Sequence, residues 1–371
     1  MKKVGVVTWF RYLNYGTILQ AYALQKYLTK IGFDPHLINF QLDDSQNIKK
    51  QKKMSFYSST SLVLHKFARV IYRNDFIQKK NEMNTFIDNN CNITNNIDSD
   101  SEYIKTCNSF NYIIFGSDQI WNPNWYHPYY FGAFNNIKSK KIAYAPSIGV
   151  HAIPNNLASL YKTNLEKFEA IAMREKNSSE IISKLLNKKV YDVVDPTLLL
   201  SKEEWDSIKS MEKVPKNEFI LCYLLSDNKN HWKAIKNYAK KTKKRLVVIP
   251  AQGISYFISK YTIKNCNIND FIGLFSSASQ VITDSFHGTV FSLIFNRQFI
   301  VFERHCPSNS NSQNDRIYNL LEISGINKEN NLLKYNTSTI HNIVPIDYDS
   351  INSSIKKTID KSKQFLKDNL K

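Results

Sequence analysis

The sequence predicts an α/β protein of two doubly wound domains that face one another across a cleft. Three observations carry this expectation. The chain has 371 residues, and single hydrophobic cores stop growing at roughly 250–300 residues. Short apolar, β-branched runs alternate with stretches of helical period in two successive series, the cadence of parallel sheets with crossover helices. The composition is that of a folded chain, 42% hydrophobic with 22 Phe and 21 Tyr, enough for two ordinary cores.

The first series opens at residues 4–8 (VGVVT), a buried strand by length and branching. Ala21, Leu24, Leu28 and Ile31 then recur at steps of three and four, a helix that Gly32 ends in the C-cap position. Residues 36–40 read as a second strand. Residues 42–105 are polar and rich in Lys, Asn and Ser, with good helical periodicity only over 61–77, and read as a helical insertion in the first domain. Strands resume at 112–115 and 142–145, followed by a helix over 161–168 and a strand over 170–173 that ends at Arg174. The second series begins at 190–194, where Asp195-Pro196 stops a strand. Strands at 219–225, 246–249, 281–283 and 299–302 alternate with helices over 231–241, 270–277 and 288–295. Helices over 315–322 and 350–369 close the chain. The domains are therefore expected at 1–185 and 186–371, the last helix closing the second.

The chain carries 50 Lys+Arg against 32 Asp+Glu, a formal charge of +18. Such a balance favours an anionic partner, and a lysine-rich composition accounts for it equally well. The basic clusters (Lys49, Lys50, Lys52, Lys53; Lys138, Lys140, Lys141; Lys240 to Arg245) are short, far apart and poor in aromatics. No zinc-finger spacing or RNA-binding signature accompanies them, so no nucleic acid is expected. Five cysteines, an odd number without a CxxC, read as buried reduced thiols with neither disulfide nor metal. Trp9, Arg11, Asn14 and Tyr15 interrupt the apolar run that a signal peptide needs. No stretch reaches the 18 or so apolar residues of a spanning helix. The expected location is cytoplasmic, with peripheral contact at the inner membrane face left open. The absence of Walker, GxGxxG, HExxH and GxSxG motifs argues against ATPase, dinucleotide dehydrogenase, zinc protease and lipase.

In doubly wound sheets, ligands sit outside the carboxyl ends of strands, so residues just after strands are the candidates. Gly16 and Thr17 open a helix whose N–H groups could hold phosphate or carboxylate, or could form an ordinary capped turn. Ser117, Asp118, Gln119, Trp121 and Asn122 follow a strand. Hydroxyl, carboxylate and amide groups beside an indole face suit a sugar; an Asx-type turn is the plainer reading. Ser285, His287, Gly288 and Thr289 follow the strand at 281–283 and open a helix, where a helix dipole disfavours a cation and a neutral imidazole suits proton transfer. Arg174 ends a strand and could grip a carboxylate or phosphate bidentately, or pair with a neighbouring acid; Arg316 is a weaker candidate.

Six of these segments, in order, resemble the polysaccharide pyruvyl transferase family. They are Gly16-Thr17-Ile18-Leu19-Gln20-Ala21-Tyr22-Ala23-Leu24, Phe115-Gly116-Ser117-Asp118-Gln119-Ile120-Trp121-Asn122, Tyr144-Ala145-Pro146-Ser147-Ile148-Gly149, Arg174-Glu175, Val194-Asp195-Pro196-Thr197 and Asp284-Ser285-Phe286-His287-Gly288-Thr289. The resemblance runs from about residue 5 to residue 325. It implies two Rossmann-like domains of the GT-B type. It also implies transfer of a pyruvyl group from phosphoenolpyruvate to a sugar of a cell-surface polysaccharide, such as a capsule or exopolysaccharide, or its lipid-linked precursor, forming a ketal. Phosphoenolpyruvate is then a co-substrate, and the route needs no metal and no redox cofactor. His287 matches the family's active-site histidine, and Arg174 the family's donor-side arginine. With them, Gly16, Thr17, Ser285, Gly288, Thr289 and Arg316 form the expected donor side, and Ser117, Asp118, Gln119, Trp121 and Asn122 the acceptor side. Better-characterised relatives carry Arg-Leu-His where this chain has Ser285-Phe286-His287. Either another cation, Arg174 or Arg316, takes that arginine's place, or the donor differs. Two other readings stand beside this one: a nucleotide-sugar glycosyltransferase on the same kind of fold, and a non-catalytic binder of anionic polymers.

Overall fold

The computed structural model describes residues 1–40, 59–308, 312–341 and 344–371. The lysine cluster at 49–53 and the start of the expected insertion lie outside the described residues. The chain forms two compact units: unit 1 comprises Met1–Ser55, Ile87–Leu200 and Lys356–Lys371, and unit 2 comprises Phe56–Phe86 and Ser201–Ile355.

Unit 1 is built on six parallel strands: β1 (Lys3–Val7), β2 (Asp34–Leu37), β3 (Tyr112–Phe115), β4 (Lys140–Tyr144), β5 (Ala170–Met173) and β6 (Tyr191–Asp192). Their order is β2-β1-β3-β4-β5-β6. Val4, Val6, Val7, Ile113, Ile114 and Phe115 are wholly buried, as expected of parallel strands covered on both faces. Helix α1 (Tyr15–Lys30) connects β1 to β2, and Gly32, at φ +92°, follows its end. That left-handed conformation favours glycine, because a side chain strains the backbone at such a φ.

Unit 2 holds five parallel strands: β7 (Phe219–Tyr223), β8 (Arg245–Val248), β9 (Gln280–Thr283), β10 (Gln298–Phe302) and β11 (Leu332–Leu333). Their order is β11-β10-β9-β7-β8. Counted within each unit, the two sheets share the order 2-1-3-4-5. The chain therefore leaves the first strand toward one edge and later returns toward the other. That reversal places a crevice between β1 and β3 in unit 1, and between β7 and β9 in unit 2.

The expected architecture of two Rossmann-like domains is present, with local differences. The periodic segment at 61–77 is two helices, α2 (Ser59–Ile71) and α3 (Arg73–Asn90), broken at Tyr72. The strand expected at 190–194 shrinks to Tyr191–Asp192, and that expected at 36–40 becomes Asp34–Leu37. The units also divide differently from the expected 1–185 and 186–371. Residues 56–86 belong to unit 2 rather than to the first domain. The reason is aromatic packing on Tyr256, whose ring lies 6.2 Å from His65, 6.3 Å from Tyr72 and 5.0 Å from Phe76. Asn267 Nδ2 also donates to Glu82 Oε2 at 2.9 Å. The closing helix, Tyr348–Asn369, is likewise shared: Lys356–Lys371 belong to unit 1, where Ser362 Oγ accepts from the Val194 N–H at 3.0 Å. None of the five cysteines is in a disulfide; Cys107, Cys222 and Cys266 are buried, and Cys91 and Cys306 are half-buried.

The Tyr256 contacts give a stability test. Tyr256→Ala removes a side chain that is 4% exposed and should cost about 3 kcal/mol. Hydrogen exchange should quicken across 59–86; unchanged exchange there would contradict the assignment of these helices to unit 2.

Candidate functional site

In unit 1, the switch point is lined by the loops after β1 and β3. Asn14 caps α1, its Oδ1 accepting from Gly16 N at 2.9 Å and Thr17 N at 3.3 Å. Thr17 Oγ1 donates to Asp118 Oδ2 at 2.7 Å. The expected anion grip at Gly16 and Thr17 is thus engaged by the protein's own side chains. Gln20 ties the two loops together. Its amide donates to Thr8 Oγ1, Trp9 O and Thr17 O, and its Oε1 accepts from Ser117 N at 3.3 Å. Gly116 is at φ +122°, and a Cβ there would stand 2.1 Å from Tyr144 O. Asp118 also adopts positive φ, +64°, a strained conformation for a residue with a Cβ.

Arg174 lies in this wall, 3% exposed. Nη1 contacts Asp195 Oδ2 at 2.7 Å, Nε contacts Glu175 Oε1 at 3.1 Å, and Nη2 is 3.9 Å from Asp118 Oδ1. Burial alone would lower its pKa, but Glu175, Asp195 and Asp118 outweigh burial and raise it, so the guanidinium stays charged. Asp195 in turn accepts from Thr197 N and Oγ1, and lies 3.4 Å from Ser117 Oγ. Three carboxylates surround one guanidinium. Arg174, expected as a donor grip, is placed as the internal counter-ion of that group, and a further anion would meet net negative charge.

The expected acceptor side divides. Ser117, Asp118, Gln119 and Asn122 are brought together: Gln119 N donates to Asp118 Oδ1, and Asn122 Nδ2 to Gln119 Oε1 at 3.1 Å. Trp121 is not with them. It is wholly buried, stacked on Phe131 at 5.6 Å and edge-on to Phe168, with Nε1 donating to Tyr130 O. It is core, packed in a buried cluster with Phe115, Phe131, Tyr161 and Phe168. The indole faces at this crevice belong to residues that the sequence reading passed over. Trp9 packs 5.6 Å from Tyr12 and 6.0 Å from Trp125, whose Nε1 donates to Gln119 O. The rule that flagged residues after strands also covers Trp9, two positions past β1.

In unit 2, the switch point is closed by Asp284, wholly buried. Its carboxylate accepts from Leu225 N at 2.6 Å and Ser226 N at 3.0 Å, joining the loop after β7 to that after β9. Thr283 Oγ1 donates to Tyr223 O and accepts from Ser285 N. Ser285 then caps helix α4 (Phe286–Ile294), its Oγ accepting from Gly288 N at 3.3 Å. Thr289 Oγ1 donates back to Ser285 O. A Cβ on Gly288 would stand 2.4 Å from Thr283 Oγ1. Ser285, Gly288 and Thr289, expected to touch the donor, are thus spent on building the turn. What they position is His287, in the first turn of α4 and 8% exposed.

Beside helix α4 stands a cationic group. Arg316, in helix α5 (Asp315–Ile323), lies 5.9 Å from the Phe286 ring. Its Nη2 donates to Gln313 Oε1 at 2.6 Å, and Arg304 Nη2 reaches the same oxygen at 3.1 Å. Arg304 Nε donates to His305 Nε2 at 3.2 Å. Burial, then Arg304 and Arg316, push the His305 pKa down to about 3, so it remains a neutral acceptor that orients Arg304. Arg304 was missed by the sequence reading, although it lies two residues past β10, where that reading's own rule applies.

With this geometry in place, the chain can be compared with known proteins. The profile of the polysaccharide pyruvyl transferases matches residues 14–305. The chain belongs to this family. Its family is one of transferases acting on polysaccharide. No curated protein matches the chain. Among solved structures, UDP-GlcNAc 2-epimerase from Methanocaldococcus jannaschii is similar, with 10% identity, a TM-score of 0.51, and 98% of this chain and 94% of that one covered. UDP-GlcNAc 2-epimerase from Neisseria meningitidis has 9% identity and a TM-score of 0.49, covering 100% and 99%. A glycosyltransferase from Rickettsia africae has 14% identity and a TM-score of 0.47, also covering 100% and 99%. The first of these agrees with the two-Rossmann, GT-B-like class and concerns the fold alone. No helix among the described residues is long and apolar enough to cross a membrane.

Two predictions follow from the two pyruvyl transferase crevices. Arg174→Met leaves three buried carboxylates without their cation and should cost about 3–5 kcal/mol in denaturant unfolding. A donor-gripping role would instead weaken donor binding with stability unchanged. For His305, the folded-state pKa lies below the ordinary 6.5. The unfolded chain therefore takes up a proton that the folded chain refuses, and stability falls as pH drops from 6.5 toward 3. His305→Asn should flatten that part of the stability–pH curve.

Proposed function

We propose that this pyruvyl transferase moves a pyruvyl group from phosphoenolpyruvate to a sugar and closes a ketal on two of its hydroxyls. The observation that carries this reading is the group beyond β10 in unit 2, where Arg304 and Arg316 converge on one oxygen beside the helix that presents His287. The donor bears a carboxylate and a phosphate, and paired guanidiniums suit both. Here the two arginines take the place of the arginine that relatives carry at the position of Ser285. Gln313 Oε1 occupies the position of an anionic oxygen and gives way to one.

The chemistry balances as follows. A proton is delivered to the methylene carbon of the donor, making C2 electrophilic. One sugar hydroxyl adds to C2 and loses its proton. The C2–O bond to phosphate breaks, and the second hydroxyl adds and loses its proton. One of the two protons replaces that given to carbon, and the other leaves with phosphate. His287 is the acid/base for these transfers, worth typically about 10²–10⁴-fold. Arg304 and Arg316 hold the donor and stabilise the leaving phosphate. Unit 1's switch point, with Trp9, Tyr12 and Trp125 around Gln119, is proposed to bind the sugar. No step calls for a metal or a redox cofactor.

The test is acceptor-dependent phosphate release from phosphoenolpyruvate with a product of ketal mass, over a panel of sugar and lipid-linked acceptors. His287→Ala should lower turnover by about 10²–10⁴-fold. Arg304→Met should weaken phosphoenolpyruvate binding by about ten- to a hundredfold, the worth of a hydrogen bond to a charged group. Tight binding of a nucleotide sugar, with none of phosphoenolpyruvate, would replace this reading with a glycosyltransferase.

A further inference from the structure

Helix α2 has three faces. One packs inward: Ala68 is wholly buried, and His65 turns to Tyr256. A second is cationic, with Lys66 and Arg69 exposed. The third is apolar and faces solvent. Val63 is 65% exposed, Phe67 56%, Val70 76% and Ile71 50%. At 3.6 residues per turn these four side chains span an arc of about 100°. Phe257, itself 41% exposed, extends the patch, its ring 6.2 Å from Phe67. Lys260, exposed three residues past Phe257, has its Nζ over the Tyr261 ring at 5.1 Å. Between Ser59 and Asn74 the sequence holds Lys66, Arg69 and Arg73 and no acid.

Four solvated apolar side chains on one helix face carry an unfavourable hydration cost unless something covers them. The charge at the rim decides what does. An isologous contact with a second copy would set Lys66, Arg69 and Arg73 near their own counterparts, a repulsive arrangement. An anionic lipid surface meets both demands, accepting the apolar face below the headgroups and the cations among them. We propose that the α2 face, with Phe257, docks the protein on an anionic membrane surface, with the helix lying in the interface plane. This surface is independent of the donor chemistry. It would hold the protein where a lipid-linked acceptor is presented.

The test is co-sedimentation of the full chain with vesicles of phosphatidylcholine alone and of phosphatidylcholine with phosphatidylglycerol. Binding is expected only with phosphatidylglycerol, weakening as salt rises. The triple variant Val63→Ser/Phe67→Ser/Val70→Ser should lose at least about tenfold in affinity, with an unchanged melting temperature because these side chains are exposed. Lys66→Gln with Lys260→Gln should weaken binding and flatten its salt dependence. Three results would overturn the proposal: no binding to phosphatidylglycerol vesicles, equal binding by the triple variant, or a wild-type dimer that the triple variant abolishes without any vesicle binding.

Discussion

A parallel strand can leave its sheet only through a loop at its carboxyl end, and the strand order decides where such loops part. In both units the order 2-1-3-4-5 sends consecutive crossovers to opposite sides of the first strand. The crevice that results, between β1 and β3 or between β7 and β9, exists before any side chain is specified. The residues then act on it. In unit 1, Gln20 and the Thr17–Asp118 bond fasten the two loops together. In unit 2, the buried Asp284 carboxylate does so through two backbone N–H groups. An acid so placed stays satisfied in a dry setting, and it fixes the turn from which Ser285 starts α4 and presents His287.

The two crevices differ in charge. Unit 1 gathers Asp118, Glu175 and Asp195 around a single guanidinium. Unit 2 gathers Arg304 and Arg316 around a neutral amide and a neutral imidazole. On the proposed reading the anionic donor belongs with the paired guanidiniums of the second rather than with the carboxylates of the first. On that reading the aromatic group around Trp9 and Trp125 in unit 1 is left for the sugar. This division follows from the side chains of each unit taken separately.

Much of this was legible in the sequence, because strands declare themselves by short β-branched runs and a site rule based on strand ends needs little more. Residues 112–115 and 170–173 were read with the bounds that β3 and β5 have, and the neighbourhood of His287 followed from the strand before it. The failures share a cause, which is contact between residues far apart in sequence. Trp121 looks like a ligand platform beside Ser117 and Asp118, and only the position of Phe131 and Phe168 makes it core. Arg174 reads equally as an anion grip or as half of an ion pair until Asp195 arrives beside it from 21 residues away. Helices α2 and α3 read as part of the first domain because they follow its first strands, whereas Tyr256 recruits them to the second. Arg304 also follows a strand and so falls under the rule, but only its convergence with Arg316 on Gln313 marks it.

The most direct measurement is an experimental structure of the protein with phosphoenolpyruvate bound. The account predicts donor oxygens within hydrogen-bond reach of both Arg304 and Arg316, the Gln313 amide turned away from them, and the methylene carbon on the side of His287. Donor bound instead on Arg174, with Gln313 still holding the two arginines, would contradict it.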